Sequence, residues 1–183
     1  TLDAAEVNKC MPKIKMETPI TRECLQKLGG HKYYWKADMC DYFFQFEVSP
    51  EMANLYAFST HRGIFRFKKI LPQGDQNSPP WTTNAMQHIL IPIREEVSNY
   101  VDDFAGGDDE PEILCDKLER FLTLMEVVNA KLSPPKVFVG FTTITHVGFV
   151  VDKNGYRPKQ NQLDKFQEAP CPTKEKLRSW FGL

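Results

Sequence analysis

Two adjacent aspartates, Asp102 and Asp103, stand in the middle of a short, apolar-flanked segment from Val97 to Ala105, with Gly106-Gly107 directly after it. Carboxylates this close repel one another, and neither is easily buried while charged. A divalent cation removes the conflict. Hard oxygen ligands suit Mg²⁺, which takes few protein carboxylates and keeps positions open for water and phosphate. Two such ions about 3.5–4 Å apart stabilise the attacking and leaving oxygens of an in-line phosphoryl transfer. That chemistry calls for a third carboxylate from another strand, and Asp38, which precedes an aromatic run, is the candidate. A solvated acidic loop would carry the same pair, so an Asp-Asp step alone is weak evidence for metal.

The elements that must position these groups can be read from periodicity and breakers. Val97 to Ala105, followed by Gly106-Gly107, reads as a tight hairpin with the carboxylates at its bend. From Tyr33 to Val48 aromatic and branched residues predominate, which predicts a strand whose end and following turn carry polar work, before Ser49-Pro50-Glu51 turns the chain. Two β-rich runs between Leu55 and Ile70 flank His61-Arg62-Gly63 and predict a hairpin. Pro12 and Pro19 break the N-terminal stretch, and Leu25 to Gly30 reads as a short helix stopped by glycine. Pro79-Pro80 suits the first turn of a helix bearing Met86, Ile89, Leu90 and Ile93, which Pro92 should end or kink.

Farther along, Leu114, Leu118, Phe121, Met125 and Val128 recur at three- and four-residue steps, the period of an amphipathic helix over Pro111 to Lys131. Lys136 to Phe141 and Thr143 to Val151 read as two strands, the second closed by the turn Asp152-Lys153-Asn154-Gly155. Gln160 to Ala169 suggests a helix, Pro170 and Pro172 break it, and Thr173 is an N-cap for a last helix scarcely begun at Leu183. There is no internal repeat, low-complexity tract or linker, so the whole reads as one α+β unit.

Composition bounds the rest. With 183 residues and 42% apolar content the chain can pack a core. It has no run of about 18 uncharged apolar residues and no basic region preceding an apolar one at the N-terminus, so an intracellular, by default cytoplasmic, unsecreted protein without a membrane span is expected. Cys10, Cys24, Cys40, Cys115 and Cys171 are odd in number, widely spaced and without a Cys-x-x-Cys pair, which indicates neither a disulfide framework nor a zinc site. Buried thiols are expected. The four histidines, His31, His61, His88 and His146, have no ligand spacing and are given surface or satisfied roles. Net charge is −1, unlike the basic footprint usual for phosphate backbones. Locally, however, Lys13, Lys15, Arg62, Arg66, Lys68 and Lys69 are gathered in the first half, against an acidic block of Asp102, Asp103, Asp108, Asp109 and Glu110.

Tyr100-Val101-Asp102-Asp103 resembles the Y-x-D-D box of the reverse transcriptases of retroviruses and gypsy-class LTR retrotransposons. Other segments agree in order. Lys36 through Phe44 is similar to the first palm motif of that family, in which the leading aspartate binds metal and an aromatic five positions later lies under the incoming sugar; those positions are Asp38 and Phe43. Phe58-Ser59-Thr60 with Gly63, Leu71-Pro72-Gln73-Gly74 and Asn77-Ser78-Pro79 resemble the approach to its palm helix. Leu132 to Lys136, Val147-Gly148-Phe149 and Gly155 to Pro158 continue the match, and Pro172 to Leu183 looks like the entry to a thumb.

The resemblance implies a right-hand polymerase palm, an antiparallel sheet packed against helices with a partial fingers segment, over residues 1–172, and a truncated thumb start over 173–183. It further implies an RNA-directed DNA polymerase core from a retroelement polyprotein, using two Mg²⁺ ions, or Mn²⁺ in their place, held by Asp38, Asp102 and Asp103. Partners would be an RNA or DNA template with a DNA primer, and deoxynucleoside triphosphates. Phe43 would exclude a 2′-hydroxyl, Gln73 would contact nucleotide and template, and Asp41 and Tyr42 would lend backbone amides to the triphosphate. Lys136 would approach the leaving pyrophosphate as a general acid, and Val147, Gly148 and Phe149 would form the primer grip. A core Phe, a turn Gln, a solvated Lys and a strand Gly would look the same in sequence. Asp75 after the Leu-Pro-Gln-Gly turn and Trp81 depart from the family pattern, which suggests altered template contacts. The fingers lysine and arginine that bind triphosphate fall outside the match. Two alternatives stay open: a retroelement-derived palm kept as a non-catalytic subunit of a larger assembly, and an RNA-dependent RNA polymerase palm.

Overall fold

The computed structural model describes residues 4–16, 19–68, 70–161 and 163–164. In chain order its elements are α1 (Ala5–Cys10), α2 (Thr21–Leu28), β1 (Tyr33–Asp38), α3 (Pro50–Leu55), β2 (Ala57–Thr60), β3 (Gly63–Arg66), α4 (Ser78–Ile89), β4 (Ser98–Tyr100), β5 (Asp103–Asp108), α5 (Pro111–Val127), β6 (Phe138–Phe141), β7 (Thr143–His146), β8 (Phe149–Asp152) and β9 (Gly155–Pro158). Short 3₁₀ turns cover Tyr42–Gln45, Ile91–Ile93 and Pro134–Lys136. Three antiparallel sheets result, in the orders β4-β5-β1-β6, β2-β3 and β7-β8-β9. The α+β expectation holds.

The central strand β1 is buried on both faces, and the period-2 alternation of a strand sends its side chains to two cores. Trp35 and Ala37 join Met86, Leu90, Phe104, Leu114, Phe121 and Met125 beneath α4 and α5. Tyr34 points the other way, into Leu25, Leu28, Ala105, Ile144 and Val151 beneath α2 and the three-stranded sheet. Each fully buried large side chain contributes roughly 1.5–3 kcal/mol, so β1 is gripped from both sides just before it delivers Asp38. Trp35 stacks on Phe121 with ring centroids 4.8 Å apart.

Most elements follow their sequence signals. Pro79 and Pro80 open α4, Pro92 falls in the 3₁₀ turn that ends it, and Gly29 caps α2. His61 and Arg62 form the β2-β3 turn, and Asp152 pairs with Gly155 across the β8-β9 turn. Three expectations need correction. The strand expected from Tyr33 to Val48 ends at Asp38, because Asp41 takes a left-handed backbone (φ 46°) and the chain coils into a 3₁₀ turn. The β4-β5 hairpin does bend at the carboxylates, and Gly106-Gly107 after it continues β5: a Cβ on Gly106 would lie 2.5 Å from the Trp35 indole nitrogen, and one on Gly107 2.8 Å from the His31 ring. Thr143 to Val151 is a hairpin, not one strand, since Val147 (φ 48°) and Gly148 (φ 81°) reverse the chain. Finally, Cys10, Cys40 and Cys115 are exposed and only Cys24 of the described cysteines is buried; all four are free.

Of the helix expected over Gln160 to Ala169, residues 160, 161, 163 and 164 are helical, and its remainder, the Thr173 cap, Cys171 and the 172/173 boundary lie outside the described residues. Among the described residues no helix is long and apolar enough to cross a membrane.

Candidate active site

Asp38 ends β1 and stands opposite Asp103, the first residue of β5, in the antiparallel register. The hairpin between β4 and β5 is closed by Val101-Asp102, with Tyr100 paired to Asp103. Val101 has φ 57°, an uncommon conformation for a β-branched residue. A backbone hydrogen bond from Met39 N to Asp102 O, 3.0 Å, ties this bend to the end of β1. Two of the three carboxylates are thus placed by neighbouring strand ends and the third by a strained turn. Of the four non-glycine residues with positive φ among those described, Asp41, Val101 and Val147 lie at positions singled out for chemistry or beside them, where strain that the fold overrides is commonly stored.

The loop that carries Lys136 is moored to the same strand end. Ser133 N donates to Asp38 O at 2.8 Å, Cys40 N donates to Lys131 O at 3.0 Å, and Gln45 clamps Lys131 through both its amide atoms, at 2.8 and 2.7 Å. Lys136 Nζ consequently reaches Asp38 Oδ1 at 2.8 Å. The Leu71 to Gly74 turn is fixed from two sides. Leu71 N donates to Phe46 O at 2.9 Å, while Asn8 of α1 bonds the Gly74 carbonyl at 2.9 Å and the Gln76 amide at 3.0 Å. Asp75 turns inward, accepting from Tyr56 Oη and from Asn77 N at 2.8 Å. It is a buried acid that holds the Leu71 to Gly74 turn against α3 and the start of α4. Trp81 lies at the surface, edge-to-face with Phe46.

These moorings gather Asp38, Asp41, Tyr42, Phe43, Gln73, Asp102 and Lys136 around one cleft of about 210 Å³. A roomier hollow of about 350 Å³, lined by Cys24, Lys27, Leu90 and Ile91 among others, touches none of the carboxylates. Chemistry, not volume, singles out the smaller cleft. Asp103 and the residues Val147, Gly148 and Phe149 are not among its walls. Phe43 packs partly on the core, edge-to-face with Tyr42 at 5.2 Å, and still lines the cleft. Burial pushes the Tyr42 hydroxyl up to about 12.

Asp103 is turned to a different set of partners. Lys36 Nζ lies 2.9 Å from its Oδ2, and His146 Nδ1 is 3.5 Å from the same oxygen. His146 is fully buried and its Nε2 faces Ser98 Oγ at 3.0 Å. The neighbours therefore titrate in opposite directions. Burial raises Asp102, and the Asp38 and Asp103 carboxylates add to the rise. Burial also presses Asp103 upward, but His146 and Lys36 outweigh it and hold its carboxyl below the usual value. The hydrogen bond and charge of Asp38 raise Lys136. The second half of the acidic block is structural: Asp108 pairs with Lys117 at 2.6 Å and accepts from the Asp109 and Glu110 amides at the start of α5.

Lys36, His146 and Ser98 escaped sequence reasoning. Lys36 had a signal, standing two residues before Asp38 on the same strand; His146 had none, because its partners come from β4 and β5.

Whether these residues fit a divalent cation can be judged from the donors. Among the described residues no three His, Cys, Asp or Glu side chains are already drawn into a closed cage. Yet Asp103 Oδ1 is buried without a hydrogen-bond partner, and Asp102 is half buried near two further carboxylates. Unpaired hard oxygen donors and uncompensated buried charge are what a cation such as Mg²⁺ satisfies. The set fits.

An antiparallel sheet delivering paired carboxylates beside an aromatic-floored cleft defines a polymerase palm, and comparison with known proteins gives the family. Residues 3–161 match the family model described as reverse transcriptase (RNA-dependent DNA polymerase). This chain belongs to that family. It is 26% identical over 184 residues to the retrovirus-related Pol polyprotein from transposon 297 of Drosophila melanogaster, and 28% identical over 187 residues to the Pro-Pol polyprotein of Simian foamy virus type 1. Both alignments take in 100% of this chain but only 17% and 16% of those polyproteins, so it spans about a sixth of their length. Among solved structures, a foamy viral protease-reverse transcriptase in complex with double-stranded DNA matches at TM-score 0.85 and 25% identity, over 98% of this chain and 32% of that one. Another in complex with an RNA/DNA hybrid matches at TM-score 0.81 and 25% identity, over 100% and 25%. The fold is that of a reverse transcriptase palm with part of the fingers.

Proposed function

We propose that this chain is the polymerase core of an RNA-directed DNA polymerase within a larger retroelement polyprotein, with 1–172 as palm and partial fingers and 173–183 as the start of a thumb. The observation that carries the proposal is the meeting of Asp38, Asp102, Phe43, Gln73 and Lys136 at one cleft. Asp38, Asp102 and Asp103 would hold two Mg²⁺ ions, with Mn²⁺ as a substitute. When bound, such ions activate the primer 3′-hydroxyl and offset pyrophosphate charge.

The remaining work belongs to the protein. Phe43 presents a ring where a 2′-hydroxyl would need volume and so selects deoxynucleoside triphosphates. Gln73 contacts the incoming nucleotide and template, and the amides of Asp41 and Tyr42 receive the triphosphate. Lys136, held protonated beside Asp38, delivers a proton to the leaving pyrophosphate. Val147, Gly148 and Phe149 hold the primer 3′ end of a duplex formed by an RNA or DNA template and a DNA primer.

Primer extension with Mg²⁺ tests this, comparing the wild-type protein with D38N and D102N. Deoxynucleotide incorporation in the wild type and its loss in both variants supports the reading; equal incorporation refutes it. A second reading, a palm retained as a non-catalytic subunit, draws on the net charge of −1 and on the lysines already paired with Asp38 and Asp103. Absence of extension together with stoichiometric co-purification of other proteins would favour that second reading.

A further inference from the structure

Asp103 is joined to the β7-β8 hairpin by two side chains that the polymerase reading leaves without a task. Lys36 Nζ bonds Asp103 Oδ2 at 2.9 Å and also donates to the carbonyl of Thr145 at 2.8 Å. His146 follows Thr145, lies wholly out of solvent, and puts Nδ1 3.5 Å from the same Asp103 oxygen. Its other nitrogen meets Ser98 Oγ at 3.0 Å, and Ser98 in turn donates to the Cys24 carbonyl at 3.0 Å. Ser98 is buried in β4, the strand that leads into the Val101-Asp102 bend. One cluster therefore spans β1, β4, β5, β7 and α2.

The position of this cluster gives it a consequence. Directly after His146 come Val147 and Gly148, the two left-handed residues that close the hairpin. A two-residue turn with positive φ at both positions has little freedom to rearrange internally, so a load placed on it passes into the residues that flank it. Those residues are the pair His146 and Phe149. Lys36, which also holds the Thr145 carbonyl, bonds one oxygen of Asp103, and His146 Nδ1 approaches that same oxygen at 3.5 Å, while the second oxygen is buried and free of hydrogen bonds. The carboxylate is thereby steered by whatever moves the hairpin.

We propose that Lys36 and His146 are positioning residues that couple the seating of a primer terminus at the Val147-Gly148 turn to the placement of the Asp103 carboxylate, and hence to divalent-cation binding. The inference rests on the polymerase reading and adds to it a link between its metal and primer sites. Such coupling is reciprocal: if the duplex tightens the cation, the cation must tighten the duplex by the same factor.

The test uses the full chain, Mn²⁺ followed by electron paramagnetic resonance, and an RNA–DNA primer duplex followed by fluorescence anisotropy. The primer ends in a dideoxynucleotide, so no 3′-hydroxyl can bridge the two ligands directly. In the wild type each ligand should tighten the other about five-fold or more, the lower range of measured couplings. H146Q, whose amide nitrogen can replace Nε2 toward Ser98 but cannot reach Asp103 as Nδ1 does, should reduce the factor to within about two-fold; K36M should do likewise. H146N, which restores a donor in place of Nδ1, should recover it. S98A, a smaller change, should weaken the coupling partially, and thermal melts identify any variant that fails to fold. An uncoupled wild type, or a factor unchanged in both H146Q and K36M, overturns the proposal. Should the wild type bind neither Mn²⁺ nor duplex, or D102N bind Mn²⁺ as well as the wild type does, the polymerase reading itself fails.

Discussion

Replacing Asp102 and Asp103 by asparagine, one at a time, should move the stability of the metal-free protein in opposite directions. Asp102 is half buried near Asp38 and Asp103. Like charges about 4 Å apart at an effective dielectric constant near 20 interact by about 4 kcal/mol, and wider spacing and solvent screening of a half-exposed group cut this several-fold, so D102N should stabilise by roughly 1 kcal/mol. Asp103 is instead an acceptor for Lys36, with both side chains 21% exposed. Hydrogen bonds to charged groups contribute about 1.5–3 kcal/mol, and partial exposure lowers that, so D103N should destabilise by about 1–2 kcal/mol. In a domain of this size each kcal/mol shifts Tm by roughly 2–4 °C.

The pH dependence has a sign that can be checked. The folded pKa of Asp102 is raised above 3.8, so its favourable contribution is full below that value and is lost as pH rises through the folded pKa. The advantage of D102N should accordingly grow upward from about pH 4. The folded pKa of Asp103 is lowered below 3.8; its contribution is present above that value and disappears as pH falls through the folded pKa, so the deficit of D103N should shrink in strong acid. Melting by circular dichroism in chelator across pH 3–7 is the assay. Shifts of the same sign in both variants at neutral pH would refute the reasoning.

Three further outcomes follow from particular contacts. G106A forces a Cβ to 2.5 Å from the buried Trp35 indole, and overpacking of this kind costs about 1–3 kcal/mol; an unchanged melting temperature would contradict the packing described. Y56F removes the donor to buried Asp75, and a buried acceptor left unsatisfied costs about 1–3 kcal/mol, which a urea titration would detect as a lower midpoint at unchanged slope. F43A should relax discrimination against ribonucleotides by about 10-fold or more, the scale of one packed contact; a single-turnover comparison of the two sugars that shows undiminished selectivity would remove Phe43 from that role.

The carboxylates were legible because their spacing is local: Asp102 and Asp103 are adjacent, and Asp38 ends an aromatic strand. Helices α4 and α5 were legible through their prolines and their apolar period. What escaped depends on register between distant segments. The need for glycine at 106 emerges only when β5 lies against β1 and the Trp35 indole occupies the space over it. Val147 looks like a strand residue because a β-branched side chain does not advertise a left-handed backbone, and only Gly148 hinted at the hairpin. His146 acquires meaning solely from Ser98 and Asp103, which lie more than 40 residues away. Asp75 stood out in sequence only as a departure from the family pattern, and its partner Tyr56 shows once α3 packs beside the turn.

The central claim is that Asp38 and Asp102 form a divalent-cation site at the cleft. Its most direct test is a Mn²⁺ titration by electron paramagnetic resonance, with a dideoxy-terminated primer on its template and the matched deoxynucleoside triphosphate present, for the wild type, D38N and D102N. The account predicts two protein-dependent Mn²⁺ ions in the wild type and at least a ten-fold weaker site, about 1.4 kcal/mol, in each variant, with duplex affinity retained. Identical Mn²⁺ binding by all three proteins would contradict it.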